Sequence, residues 1–511
     1  MNFEIVSGDI TQQTTAVAVV NLFSGVTSPG GATGAVDSAI GSTISKLIEA
    51  GEIKGGASEA TLIHTLDHHD NFGPDRVLVA GLGKAKSLDL VAIRNIAAVV
   101  ARRVRSIGVT EATTILHGAG IGGIDPSDSA EAIVEGSILG TYEFKNYKSS
   151  SEDDADQNAG LETLTIIELD PQKASDIRDA VDRSTKMANA EALARDLVNH
   201  PPNIMTPTRL AEEAANVAES TPGLKLTILE RADAEKMGMG AYLGVAQGSH
   251  EPPKIIRLDY VGDPDDADNN LWIIGKGITF DSGGLSLKPS SGMETMKSDM
   301  AGGASVIAAA KAIAEIAPKI NITALCLATE NMPGGGAQRV SDVVQAMNGK
   351  FIEVLNTDAE GRLTLADALC YARENGAKRM VDVATLTGGI VVALGKGNSG
   401  AFSNDDELVN ALISAGDKRG QSFWRLPLDD VAKRQNRSNI ADLKNTGGRL
   451  AHAITAAHFI GEFAEDTPWV HLDIAATAMS DVDAGILTMG ATGVPTRTLV
   501  QLALDLAAQN S

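Results

Sequence analysis

The stretch Phe351-Ile352-Glu353-Val354-Leu355-Asn356-Thr357-Asp358-Ala359-Glu360-Gly361-Arg362-Leu363 decides how this chain is read. Its first five residues are a short, β-rich apolar run, which predicts a strand. The octet Asn356 to Leu363 then sets two carboxylates, a glycine and a guanidinium on the turn where that strand ends, and a helix is expected over 363–375. In an open α/β sheet, ligand sites form at the carboxyl ends of strands. Two acids and an Arg at such a place point to a metal site with an anion partner beside it.

Outward from this stretch the alternation continues. Strands are expected at 271–275, 320–328, 379–386 and 469–475, with helices at 301–316 and 452–464. From about 203 to 511 the chain is long enough for a doubly wound sheet with helices on both faces. Nearer the N-terminus, strand-like runs (Thr15 to Leu22, Arg76 to Ala80, Thr113 to Leu116) alternate with helical stretches such as Leu88 to Ile107, the pattern of a small α/β domain. The segment 149–160 is acidic, polar and empty of large apolar side chains, and reads as an exposed loop or linker. A strand from Glu162 to Leu169 and a polar helix from Pro171 to Asn199 follow, ended by Pro201-Pro202. The expected organisation is an N-terminal α/β domain over 1–160, a strand and connector helix over 161–200, and a larger α/β domain over 201–511.

A length of 511 residues implies two to three domains, and 43% hydrophobic with 21% charged residues is typical of a soluble enzyme. A formal net charge of −23 argues against nucleic acid as the main partner, because backbone phosphates demand basic surface. Cys326 and Cys370 give no disulfide framework and suit a reducing compartment. Met1 to Asp9 lacks the basic and apolar regions of a signal peptide, and no window approaches eighteen consecutive apolar residues. The expected location is cytoplasmic, away from membranes.

A second dense segment lies upstream: Gly275-Lys276-Gly277-Ile278-Thr279-Phe280-Asp281-Ser282-Gly283-Gly284, then Leu287-Lys288-Pro289 and Met296-Lys297-Ser298-Asp299-Met300. It follows the apolar run 271–274, so Lys276 and Asp281 are expected just beyond a strand end, with Asp299 just before an Ala- and Gly-rich helix. Each piece has a bland reading. The Gly-Lys-Gly turn lacks Walker spacing, Asp299 alone is an ordinary helix cap, and Asp-Ala-Glu alone is a solvated turn. Together they offer four acids (Asp281, Asp299, Asp358, Glu360), two lysines and an Arg. Four carboxylates in one pocket would repel unless cations balance them. Two divalent ions would do so, and oxygen-rich ligands suit Mn²⁺, Zn²⁺ or Mg²⁺. The histidines nearest in sequence, His250, His452 and His471, lie outside these segments, and there is no His-Glu-x-x-His motif. Two metals about 3.5–4 Å apart can share and activate a bridging water.

The octet resembles the signature of the leucyl (cytosol) aminopeptidases, dinuclear metalloexopeptidases. So do, in the same order, Gly275 to Gly284, Lys288-Pro289, Asp299-Met300, 384–388, 424–428, 441–448, 471–475 and 490–494. The resemblance covers about 195 to 505, while the N-terminal domain matches in character only, as a small macro-like α/β domain. It implies a central mixed, eight-stranded-type sheet flanked by helices, and roles for particular residues. Asp281 and Glu360 would bridge the two metals, Lys276 (neutral) and Asp299 would complete one site, and Asp358 the other. Lys288 would polarise the scissile carbonyl, and Arg362 would hold a bicarbonate ion acting as general base. The Leu386 backbone C=O and N–H would orient the peptide, and Met296, Thr385, Gly388 and Ala475 would line the first side-chain pocket. Peptide substrates, cleavage at the free N-terminus with Leu preferred, and a homohexamer are further implications. Arg339-Val340-Ser341-Asp342 and Ala476 depart from the family pattern without touching a metal ligand. Two other readings are a nucleic-acid-binding regulator, opposed by the charge, and a dinuclear phosphodiesterase, opposed by the missing His ligands.

Overall fold

The computed structural model describes residues 1–66, 72–120, 122–149 and 160–509. Residues 150–159 of the expected acidic loop lie outside them. Two compact units are present: Met1–Asn189 with Val482–Thr488, and Ala190–Asp481 with Met489–Ser511.

The first unit is built on six strands: β1 (Asn2–Ser7), β2 (Ala18–Phe23), β3 (Ala60–His64), β4 (Arg76–Gly83), β5 (Glu111–Ile115) and β6 (Thr163–Glu168). Their order is β1-β6-β5-β2-β4-β3, parallel except for β3 against β4. The strand expected within the connector is therefore β6, inserted between β1 and β5. Its alternation explains the placement, because Leu164, Ile166 and Ile167 are buried in the cores on the sheet's faces. Helix Leu90–Ser106 covers one face; Asp89 caps it by accepting from Ala92 N, and Arg103 and Arg105 sit in its last turn, where the helix dipole favours cations.

The second unit carries β7 (Leu224–Leu229), β8 (Lys254–Val261), β9 (Asn270–Asp281), β10 (Asn321–Asn331), β11 (Val343–Gln345), β12 (Phe351–Glu353), β13 (Met380–Ala384), β14 (Ser399–Ser403), β15 (Phe423–Arg425), β16 (Leu443–Lys444) and β17 (Trp469–Asp473). Eight of them form one mixed sheet, ordered β15-β14-β17-β13-β9-β10-β8-β7. β9 pairs in parallel with β10 on one side and β13 on the other. The chain leaves β9 through helix Ala301–Ile316 to reach β10, and later returns through helix Gly361–Glu374 to β13 on the opposite side. That reversal is a topological switch point, where a crevice opens at the carboxyl ends of the strands.

Two strand expectations need correction. β9 does not stop at 275 but continues to Asp281, so Lys276 lies within the strand. Gly275, Lys276 and Gly277 stay in register with Cys326, Leu327 and Ala328 of β10. The glycines serve packing rather than a turn: a Cβ at Gly275 would collide with the backbone of Gly302, so its absence lets helix Ala301–Ile316 lie against β9. The run 351–355 yields only the three residues of β12, which belongs to a separate sheet, β11-β12-β16. Its continuation bends away because Asn445 Oδ1 accepts from Leu355 N at 2.9 Å and Asn356 N at 3.3 Å.

Helix Gly361–Glu374 is fixed from its buried side by Asp367, whose carboxylate accepts from Tyr242 N and Met347 N, both at 2.8 Å. Burial pushes this carboxyl up to about 7 despite those bonds. No helix among the described residues is long and apolar enough to cross a membrane.

Candidate metal centre

The crevice at the switch point collects the residues singled out in the sequence. Asp281 is the last residue of β9, and its register partner Asn331 is the last of β10. Asn331 Nδ2 donates to Asp281 Oδ1 at 2.8 Å and to Thr357 O at 3.0 Å, joining the sheet end to the octet loop. Thr357 Oγ1 donates to Gly283 O at 2.7 Å and accepts from Ser286 N at 2.7 Å. These bonds stitch the 283–286 turn to the octet, and they bring ligand oxygens of Asp281, Asp358 and Glu360 within 4.8 Å of one another. Glu360 occupies the N-cap position of helix Gly361–Glu374, and Gly361 is bare because the Lys276 side chain presses on it, 2.5 Å from where a Cβ would lie. Asp299 is presented by the short turn Met296–Met300 that enters helix Ala301–Ile316.

The lysines lie inside this acid cluster. Lys276 Nζ is 2.8 Å from Asp299 Oδ2 and 2.8 Å from Glu360 Oε1, and donates to Thr385 O at 3.2 Å. Lys288 Nζ is 2.8 Å from Asp281 Oδ2 and 2.6 Å from Asp358 Oδ1. Burial lowers the pKa of both ammoniums, but the carboxylates around them outweigh it and hold both above the ordinary lysine value. In the opposite direction, burial raises the carboxyls of Asp281, Asp299 and Asp358. Two ammoniums do not neutralise four carboxylates, three of them buried and Asp358 partly so, and Glu360 Oε2 has no hydrogen-bond partner among the described residues. The donor set and this unpaired oxygen fit divalent cations.

Arg362 is almost fully buried. Its Nη1 donates to Asn445 O at 2.8 Å, while Nε has no hydrogen-bond partner among the described residues. Burial lowers its pKa to about 10, with Glu360 and Asp473 pulling the other way, so the guanidinium is charged at neutral pH.

The expected substrate-contacting residues fall on two loops and one turn. Thr385 follows β13, and its Oγ1 donates to Asp299 Oδ1 at 2.8 Å. Asp473, at the end of β17, accepts from Leu386 N at 3.1 Å, Thr387 Oγ1 at 2.6 Å and Ala475 N at 3.3 Å. One buried carboxylate thus braces both loops. It accepts from the Leu386 N–H, one of the two backbone groups expected to face a peptide. Gly388 opens helix Gly388–Leu394 with no atom within 4 Å of a would-be Cβ, and Met296 opens the turn that presents Asp299.

Asn331, Thr357, Asn445 and Asp473 hold the site together, and none was assigned a role from sequence. Thr357, Asn445 and Asp473 stand inside quoted motifs, which was the available signal. Asn331 lies three residues past the expected end of its strand.

The chain matches two family models: the catalytic domain of the cytosol aminopeptidase family over residues 192–500, and the N-terminal domain of that family over 19–151. A curated relative, the probable cytosol aminopeptidase of Alkaliphilus metalliredigens, is 40% identical over 511 residues, covering 99% of this chain and 100% of that protein. Among solved structures, a mutant of tomato leucine aminopeptidase superposes with a TM-score of 0.86 at 32% identity, covering 99% of this chain and 96% of that one. The bottromycin maturation enzyme BotP in complex with Mn superposes with a TM-score of 0.84 at 33% identity, covering 96% and 99%.

Proposed function

The chain belongs to the cytosol aminopeptidase family, a family of metal-dependent aminopeptidases, and from that premise we propose how its residues divide the work. Asp281 and Glu360 would hold two divalent ions, with Lys276 and Asp299 completing one position and Asp358 the other. The observation that carries this assignment is the acid cluster itself, largely buried at the switch point with more carboxylate than its two lysines neutralise. Mn²⁺ or Zn²⁺ suits the donor set, and the Mn complex of BotP supports Mn²⁺. When bound, the ions would supply Lewis acidity to activate a water and to anchor a free α-amine.

The other roles fall to side chains of this chain. Lys276 is charged beside Asp299 and Glu360, and to act as a ligand it would have to lose its proton to solvent, which the field of a nearby dication favours. Lys288, at the mouth of the cluster, keeps its charge and stabilises the negative charge that develops on the scissile carbonyl oxygen. Arg362 holds a planar anion, bicarbonate, on the edge formed by its unpaired Nε and by Nη2. The anion supplies a proton acceptor. The Leu386 backbone orients the peptide, and Met296, Thr385, Gly388 and Ala475 face the first side chain, with Leu preferred. Residues 201–511 form the catalytic part, working as a homohexamer on peptides in the cytoplasm.

The test is hydrolysis of a leucyl chromogenic amide by protein supplied with Mn²⁺. Activity is expected to vanish with a chelator and on the N-acetylated amide. Equal rates on the free and acetylated substrates would overturn the exopeptidase reading.

A further inference from the structure

His452 opens helix His452–Ala464, following Ala451 in the left-handed region at φ 50°. That turn aims the imidazole at Arg362: Nε2 lies 3.5 Å from Nη2 of the guanidinium. On its other side the ring stands over the start of helix Gly388–Leu394, where a Cβ on Gly389 would lie 3.0 Å from His452 Cβ and 3.5 Å from Nδ1. The imidazole is therefore wedged between the buried guanidinium and the loop after β13 that carries Thr385, Leu386 and Gly388.

The local chemistry is unusual. Burial and the Arg362 charge both lower the pKa of His452, so the ring is neutral at neutral pH. A neutral imidazole donates from one nitrogen only. At 3.5 Å the Nε2–Nη2 contact is a long hydrogen bond at the outer limit of the range, which an anion with better geometry can replace. Arg362 Nη1 is already engaged by Asn445 O, and Nε has no hydrogen-bond partner among the described residues. The guanidinium thus offers its Nε–Nη2 fork, the edge that receives a planar oxyanion with two parallel bonds. The fork fixes the plane of such an anion but leaves its outer oxygen unheld.

We propose that His452 is the second side chain of the anion site, donating from Nε2–H to an oxygen of the planar anion seated on the Nε–Nη2 edge of Arg362. This rests on the reading of Arg362 as the anion holder. His452 is then a positioning residue: it acts through the anion, setting its rotation against the cluster, and takes no proton itself. A ring fixed by Gly389 on one side and by the anion on the other also links anion binding to the peptide-orienting loop.

The experiment uses the full-length protein loaded with diamagnetic Zn²⁺, in bicarbonate-depleted buffer, with bicarbonate as the probe. Two quantities are followed: the ¹⁵N and ¹H signals of the histidine rings, and the bicarbonate concentration giving half-maximal hydrolysis of a leucyl amide. The His452 signals are identified by their loss in His452→Gln. In the wild type they are expected to shift as bicarbonate is added. Half-activation is expected to need about tenfold more bicarbonate in His452→Ala, the loss being overcome by excess anion. It should stay near the wild-type value in His452→Gln, whose amide restores a donor. Arg362→Ala should not respond at any concentration. Unmoved ring signals with wild-type half-activation in His452→Ala, while Arg362→Ala is unresponsive, would overturn the His452 assignment alone. A bicarbonate response that survives in Arg362→Ala, or is missing from the wild type, would overturn the Arg362 reading and this inference with it.

Discussion

Glu360→Ala is expected to reduce hydrolysis of a leucyl amide to background and to weaken Mn²⁺ binding by at least about 100-fold. Replacing mere hydrogen-bond partners of metal ligands costs about 10–100-fold in affinity, and Glu360 is assigned as a bridge between two ions. Its geometry supports a large effect: Oε1 pairs with Lys276 at 2.8 Å while the buried Oε2 has no hydrogen-bond partner among the described residues. The metal-free variant should nonetheless stay folded. Breaking a buried ion pair usually costs about 3–5 kcal/mol because one charge is left alone. Here Lys276 keeps Asp299 at 2.8 Å, and removing one of four crowded carboxylates relieves repulsion. Thermal unfolding without metal should therefore be close to wild type, whereas the stabilisation added by saturating Mn²⁺ should largely disappear. A variant with wild-type rate and wild-type Mn²⁺ stabilisation would remove Glu360 from the centre. Glu360→Gln, which keeps the shape and loses the charge, should behave like the alanine variant if charge is what matters.

Lys288→Ala is expected to lower kcat about 10²–10³-fold, the range for removing one preorganised group that stabilises developing negative charge. Unlike Glu360→Ala, it should not lower metal content. Lys288 stands between Asp281 Oδ2 and Asp358 Oδ1, at 2.8 and 2.6 Å. Its ammonium competes with a divalent ion for those oxygens, so removing it should leave Mn²⁺ affinity unchanged or raised. Rate and metal content measured on the same sample separate the outcomes. Loss of rate with metal retained supports the electrostatic role, whereas loss of both would make Lys288 a structural member of the cluster.

The chain's local patterns carried much of this, and their limits are physical. Helices Ala301–Ile316 and His452–Ala464 fall where apolar periodicity puts them, because a helix satisfies its own backbone and its pattern is read within itself. The extent of β9 was not legible, since Gly-Lys-Gly reads locally as a turn. Its strand conformation is imposed by pairing with β10 and by the close approach of Gly302, both distant in sequence. The same holds for 351–355: whether a short apolar run joins the main sheet depends on its partners, here β11 and β16. The charged residues of the site were visible because four acids and two lysines among glycines are chemically conspicuous. Asn331, Asn445 and Asp473 were not, because one amide or carboxylate looks ordinary until its partners 50 to 89 residues away are known. His452 belongs with them, set aside in the sequence for lying far from the acids and brought to Arg362 by the fold.

The most direct test of the two-ion centre is a metal count on dialysed protein, by elemental analysis after loading with Mn²⁺, with leucyl amide hydrolysis measured on the same sample. The assignment of Lys276, Asp281, Asp299, Asp358 and Glu360 predicts two ions per chain, with activity rising as they bind and both lost together in Asp281→Ala. A wild-type protein that binds no Mn²⁺ above background, or one whose hydrolysis is unaffected by stripping the metal, would contradict it.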